Sequence, residues 1–502
     1  MKKTAKIQDK TEIVRPPIIA VMGHIDHGKS TLLDYILKTN VVAKEAGGIT
    51  QRVGAYEVIH TDKNGKVSKI TFIDTPGHSA FSGIRERGAT LADIAILVVS
   101  AEEGVKPQTL EALKYILEAK TPYVVAMTKI DKEGANVERT KISLAENEVY
   151  LEGYGGTIPN VAVSSKTGQG IEDLLDTILL MAEIEELKGN PNIPAEGRIV
   201  EAHLDPKKGM TATLIIENGT LNKGEFLTSE NSCTPVRAIE NFIGKNIESA
   251  TFSSPVLVRG WNNMPKVGAK FTTCSSKKEA ETKSLEKFVI KTKAKSDDSD
   301  KRIKFDIVLK ADVAGSLEAL EKEILKLNSE KLKVDIVSKG VGNISESDVK
   351  SASALKNPIL FGFNVSSDVQ AVASAERLNI PIEIFDIIYK LVERLEAEVK
   401  LRTPKTELDE VVGKAKILKV FSKEKDKQII GGRVEIGALT SGSVFKIMRR
   451  ENEIGRGKIR GLEQQKVKAS EVNKGSEFGA MIEAKIEIVA GDFLETFTTT
   501  LV

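Results

Sequence analysis

Apolar and polar positions alternate along this chain in three different rhythms, and the changes of rhythm divide it. From residue 16 to 183, short continuous apolar runs alternate with stretches whose apolar residues recur every three or four positions. Residues 17–22, 70–74, 94–99, 123–127 and 161–163 read as buried strands, and 31–37, 107–117 and 171–182 as helices. In the last helix Ile171, Leu174, Leu175, Ile178 and Leu179 share one face. Such alternation predicts a largely parallel sheet with helices on both sides. Residues 190–194 form a linker by composition, and over 195–276 the helical period vanishes. Short alternating strands there predict a small β-barrel, with Asn218-Gly219 marking a hairpin. The strand–helix rhythm returns over 305–386, with strands at 305–309, 334–337, 358–363 and 382–385. Ile388, Leu391, Leu395 and Val399 then stripe an otherwise charged segment, which predicts a connecting helix over 387–403 that leaves its domain.

The final stretch, 408–502, is β again and repeats the first barrel. Gly219-Thr220-Leu221-Asn222-Lys223-Gly224 and Gly437-Ala438-Leu439-Thr440-Ser441-Gly442 share a Gly-x-Leu-x-x-Gly frame. The expected architecture is therefore multidomain α/β and β. A flexible tail (1–15) precedes a nucleotide-binding α/β domain (16–183), a β-barrel (195–276) and a three-layer α/β/α domain (305–386). The connecting helix and a second β-barrel follow. The charged run 291–304 reads as a solvated linker in preference to an RNA contact.

Chemistry enters at the end of the first strand. Gly23-His24-Ile25-Asp26-His27-Gly28-Lys29-Ser30 fits the phosphate-loop pattern G-x-x-x-x-G-K-[ST], and Thr31 follows it into the helix. Glycines let main-chain N–H groups turn toward phosphate oxygens, and the helix presents its positive end. Lys29 is expected at the β- and γ-phosphates and Ser30 on a Mg²⁺ ion. Asp74 ends another strand, placed to hold Mg²⁺ through water, and the Gly77 N–H is placed to sense a γ-phosphate. Thr128-Lys129-Ile130-Asp131 ends a third strand. Asp131 is expected to accept from guanine N1–H and N2–H₂, donors that adenine lacks. Ser164-Ser165-Lys166 suits the base edge. In the glycine-rich segment 45–50, Thr50 is the candidate further ligand to Mg²⁺. Together these predict a site for GTP and GDP with Mg²⁺.

Composition narrows the setting without changing that picture. The 73 basic and 71 acidic side chains leave a net charge of +2, so there is no global signature of RNA binding. Two cysteines, Cys233 and Cys274, provide no disulfide framework, and a reducing cytoplasm is expected. Five histidines at no metal-ligand spacing predict no zinc site. No apolar run reaches membrane-spanning length.

Gly23 to Ser30, Glu45-Ala46-Gly47-Gly48-Ile49-Thr50-Gln51 and Phe72-Ile73-Asp74-Thr75-Pro76-Gly77-His78 resemble bacterial translation initiation factor 2. Lys310-Ala311-Asp312-Val313-Ala314-Gly315-Ser316 and Val341-Gly342-Asn343-Ile344-Ser345-Glu346-Ser347-Asp348 do so too, and the resemblance runs over residues 16–502. It implies a monomeric cytoplasmic GTPase that brings formylmethionyl initiator tRNA to the small ribosomal subunit and promotes joining of the large one. His78 is the implied catalytic residue, positioning water for hydrolysis on the ribosome. In the terminal barrel the Gly475-Ser476-Glu477-Phe478-Gly479 frame of the resemblance implies a tRNA pocket near Gly432, Glu477, Phe478 and Gly479, where Phe478 is expected either to pack on the methionine side chain or to be a core residue. The chain departs from the family at Thr128, where asparagine is usual. It departs again at Gly432 and Phe478, where cysteines are usual, and at Glu463 and Gln464, where a basic pair is common. The alternatives are an elongation-type, tRNA-recruiting GTPase and a ribosome-binding scaffold for which GTP is only a switch ligand. The domain at 305–386 and the second barrel argue against the first.

Overall fold

The computed structural model describes residues 12–38, 50–63, 65–230, 232–286, 302–403, 407–424, 426–450 and 452–501. The chain divides into two units, Met1–Arg402 and Thr403–Val502. Ten helices occur among the described residues, all in the first unit: α1 (Lys29–Leu37), α2 (Ser82–Leu91), α3 (Pro107–Ala119), α4 (Val137–Glu146), α5 (Ile171–Ile184), α6 (Lys277–Glu286), α7 (Ala314–Lys326), α8 (Glu346–Ser353), α9 (Val369–Leu378) and α10 (Ile388–Arg402).

The first domain is a six-stranded sheet in the order Gly54–Thr61, Val67–Asp74, Ile18–Gly23, Ile94–Ser100, Tyr123–Thr128, Asn160–Ala162. The first pair is antiparallel and the rest are parallel. The Ile18–Gly23 and Ile94–Ser100 strands are buried along their whole length, as strands covered on both faces must be. Alternate side chains feed opposite cores. Ile19, Val21, Ile96 and Val98 meet α1 and α5, while Ala20, Met22, Leu97 and Val99 meet α3 and Leu144 of α4.

Three readings of the first unit need correction. Ile13–Val14 pairs with Lys188–Gly189, and Arg15 holds both carboxylate oxygens of Asp93 at 2.7 and 2.5 Å. Residues 12–15 are thus part of the fold and not of a flexible tail; residues 1–11 lie outside the described residues. The second domain is an eight-stranded antiparallel sheet around one core, but Asn218-Gly219 is not its hairpin. Gly219, at φ 82°, turns the chain out of Gly209–Asn218 into a separate two-stranded ribbon, Thr220–Asn222 with Ser249–Thr251. Asp205 and Gly209 close the hairpin instead. The dipeptide was a real turn signal, attached to a different turn.

The third domain has a four-stranded parallel sheet, Leu332–Val341, Ile303–Ala311, Ile359–Phe363, Ile382–Phe385. Helices α8 and α9 cover one face, and α7 and α10 the other. Helix α10 does not leave this domain. Ile388, Leu391 and Leu395 are fully buried on its sheet, and at its far end the Arg402 guanidinium lies 3.9 Å from the Phe305 ring centroid. The apolar stripe is a docking face, which explains why its back is charged. The same core takes in Ala80, Phe81 and Ile84 from the first domain. Of the charged run 291–304, residues 291–301 lie outside the described residues, and Ile303 already begins a strand.

The second unit is a closed barrel. Its strands run Glu407–Glu424, Phe493–Leu501, Val444–Arg449, Asn452–Gln464, Glu477–Ala484, Lys427–Thr440, and the last pairs back with the first. The repeated frame has the same form in both units: glycines at positive φ, a fully buried leucine (Leu221, Leu439), and an antiparallel ribbon beside it.

Candidate functional site

The Ile18–Gly23 strand delivers the chain to a tight loop and α1. A Cβ on Gly23 would stand 2.3 Å from the Val98 carbonyl oxygen, so only glycine lets the neighbouring strand approach this closely. Gly28, at φ 89°, caps α1. Lys29 is almost wholly buried, and its Nζ donates to the His24 carbonyl at 2.5 Å, inside the curl of the loop. Burial pushes its ammonium down to about 8, with Asp74 pulling the other way. The Ser30 and Thr50 hydroxyls lie 2.6 Å apart although twenty positions separate them. Residues 45–49 of the glycine-rich segment lie outside the described residues.

Across the loop, the Val67–Asp74 strand ends at buried Asp74, and Thr75 donates its hydroxyl to the Val21 carbonyl at 2.8 Å. The Gly77 main chain passes so near Lys29 that a Cβ there would stand 2.6 Å from Nζ. His78 caps a short 3₁₀ turn, its Nδ1 accepting from the Ala80 N–H at 3.1 Å. Burial pulls this imidazole below its ordinary pKa, which favours the neutral ring.

Asp26, Gly28, Lys29, Ser30, Thr31, Thr50, Gly77, His78 and Lys129 line one cavity of about 170 Å³. Gly23 and Asp74 do not line it. His27 belongs to the loop through its main chain, while its side chain turns inward. Its side chain is fully buried beneath the loop beside His24, its Nδ1 accepts from the Ser100 N–H at 3.3 Å, and burial pushes it down to about 3. Thr128 donates its hydroxyl to the His27 carbonyl. Asp131 accepts from the Ser164 hydroxyl at 2.7 Å, which lowers its pKa, so the Thr128–Asp131 and Ser164–Lys166 segments meet.

Sequence reasoning missed two residues of this region. Arg85, on α2, is fully buried; it donates to the Pro76 carbonyl at 3.1 Å and to the His78 carbonyl, and pairs with Glu111 of α3 at 2.6 Å. Gln51 is buried against the third domain. Neither carries a pattern that a single sequence reveals.

In the terminal barrel Phe478 takes the core position that was the alternative to a methionine contact. Phe478 is in the barrel core, opposite Gly432 in the strand register. A Cβ on Gly432 would meet the Phe478 ring at 2.9 Å, so the ring fills the space the glycine leaves. Glu477 is exposed, and Gly479 pairs with Gly431 and Glu463. Phe478 is 4% exposed and packs within that core.

Fold and site together define a P-loop nucleotide-binding protein. Residues 15–183 match the family described as "Elongation factor Tu GTP binding domain", 194–274 "Elongation factor G domain 2", and 275–396 "Translation-initiation factor 2". The chain is 42% identical over 499 residues to translation initiation factor IF-2 of Bacillus subtilis, covering 96% of this chain and 69% of that one. To IF-2 of Anoxybacillus flavithermus it is 40% identical over 512 residues, covering 99% and 70%. To IF-2 of Persephonella marina it is 42% identical over 496, covering 97% and 56%. A crystal structure of GDP-bound aIF5B from Aeropyrum pernix is similar at 26% identity and a TM-score of 0.48, over 96% of this chain and 92% of that one. The chain belongs to the translation initiation factor IF-2 family and is a translational GTPase. No helix among the described residues is long and apolar enough to cross a membrane.

Proposed function

We propose that this GTPase, acting as a monomer in the cytoplasm, brings formylmethionyl initiator tRNA to the small ribosomal subunit and promotes joining of the large one. The residues of the cavity carry the nucleotide chemistry. Lys29 exchanges the His24 carbonyl for β- and γ-phosphate oxygens, and the main-chain N–H groups from Asp26 to Thr31 cradle the rest. Asp131, braced by Ser164, reads guanine, with Lys129, Ser165 and Lys166 around the base.

The observation that carries this reading is the Ser30–Thr50 pair. Two hydroxyls from distant segments converge beside Lys29 and below Gly77, with a buried strand-end carboxylate, Asp74, behind. Hard oxygen donors of this kind suit Mg²⁺. Ser30, Thr50 and Asp74 are the residues that would hold such an ion, which would supply neutralisation of the phosphate charge.

His78 orients the attacking water. The Ala80 N–H keeps Nδ1 as acceptor, which leaves the proton of the neutral ring on Nε2. Alignment of a nucleophile is most of what phosphoryl transfer requires of a protein. His78→Ala is expected to keep GTP affinity and to lower ribosome-stimulated turnover by about a hundredfold or more, since the loss falls on the transition state. Stimulated turnover equal to the unaltered protein would assign the water to another group.

A further inference from the structure

Two loops that face the nucleotide cavity grip the same turn of the third domain. The Gln51 side chain, next to Thr50, donates from Nε2 to the Asp386 carbonyl at 2.9 Å and accepts at Oε1 from the Ile388 N–H at 3.2 Å. From the other loop, the His78 ring lies against Tyr389, centroids 6.4 Å apart and planes 23° from parallel. Phe81 meets the same ring edge-on at 6.5 Å. The start of α10 therefore touches the neighbour of one proposed Mg²⁺ ligand and the proposed water-orienting group itself.

Tyr389 has no packing reason to be aromatic. It is 41% exposed, whereas Ile388 and Leu391 on either side supply the buried face of α10. Its ring is spent on His78. A histidine bound on one face, at one edge and at Nδ1 is held in one orientation, and in-line attack tolerates little misplacement of the group that directs water.

We propose that Tyr389 is a positioning residue that restrains hydrolysis. It holds the His78 ring flat against α10, so the orientation that directs water is sparsely populated until the first turn of α10 shifts. The restraint is separate from nucleotide binding, because Tyr389 does not line the cavity. It rests on the assignment of His78 made above.

The test uses the full chain without ribosomes. Aromatic pairs of this kind stabilise by an amount that corresponds to about a three- to tenfold change in population. Tyr389→Ala should raise intrinsic GTP turnover by about that factor at unchanged GTP affinity. Tyr389→Phe keeps the ring and should match the unaltered protein. In the His78→Ala background, Tyr389→Ala should have no effect. The proton resonances of the His78 ring should shift in Tyr389→Ala and stay in Tyr389→Phe. If Tyr389→Ala does not fold, Tyr389→Leu, which keeps bulk without a ring, replaces it. Turnover that is unchanged or lower, or a rise that persists without His78, overturns the proposal. Failure of the underlying assignment is distinguishable: His78→Ala would then keep full ribosome-stimulated turnover, while the ring resonances would still report the stack.

Discussion

The Thr128 hydroxyl donates to the His27 carbonyl at 2.5 Å, tying the end of the Tyr123–Thr128 strand to the phosphate loop. A residue 101 positions away thereby fixes the loop's curvature, and a donor is all the position requires. Thr128→Val keeps the shape and removes the donor. It is expected to weaken GDP binding about tenfold, because a buried carbonyl loses a partner. Thr128→Asn, whose amide nitrogen can donate, should stay within about twofold. A titration with fluorescent GDP decides; full affinity in the valine variant would show that the tie is idle.

The parts of this site that could be read in the sequence are those whose chemistry is local. Gly23, Gly28, Lys29 and Ser30 are bound to one another by the geometry of a single strand–loop–helix. Asp74 and Gly77 follow from the strand pattern, and Thr50 from the glycine-rich segment that precedes them. Arg85 was illegible because its partners, the Pro76 and His78 carbonyls and Glu111, are main chain or on another helix. The inward turn of the His27 side chain was illegible because the motif fixes backbone positions and leaves open which side chains turn inward. The fold behaves likewise: 382–385 was predicted to the residue, whereas α10 was read as free because an apolar stripe does not say what covers it.

Glu201 links the second and third domains. Its Oε1 accepts from the Gly315 N–H at 3.1 Å, at the start of α7, and burial pushes the carboxyl up to about 7. Below pH 4.5 the group is protonated folded or unfolded. Between 4.5 and about 7 only the folded state keeps the proton, so stability falls as pH rises through that window, by on the order of 3 kcal/mol in total. Glu201→Gln removes the titration. Its melting temperature relative to the unaltered protein should therefore rise between pH 5.5 and pH 8. A difference that stays constant would mean that Glu201 ionises at its ordinary pKa.

Gln51→Ala deletes both hydrogen bonds to the first turn of α10 and leaves the Ile388 N–H without that acceptor. The expected loss is about 1–3 kcal/mol of local stability. It should appear as faster amide exchange at residues 386–390, with α5 unchanged. Unchanged exchange at 388 would show that the turn is held by Ile388 and Leu391 alone.

Gly432 and Phe478 make the last prediction, which concerns the terminal barrel alone. Its core is built entirely from residues 415–494, so the 403–502 fragment can be studied by itself. Phe478→Ala should destabilise it by about 3–5 kcal/mol, the range for emptying a buried aromatic site. Gly432→Ala should also destabilise it, since the added Cβ would stand 2.9 Å from the ring and 2.4 Å from the Lys416 carbonyl oxygen. The two losses should not add. Without the ring, half of the clash at Gly432 is gone, and the double variant should be more stable than the sum by about 1 kcal/mol. Urea unfolding of the four proteins measures this coupling, and strict additivity would mean that the ring and the glycine do not share a space. The same geometry predicts that Phe478→Leu, studied where it remains folded, binds formylmethionyl-tRNA and deacylated tRNA with unaltered relative affinity. A selective loss for the formylmethionyl form would place the ring on the methionine after all, in conflict with its position beneath Gly432.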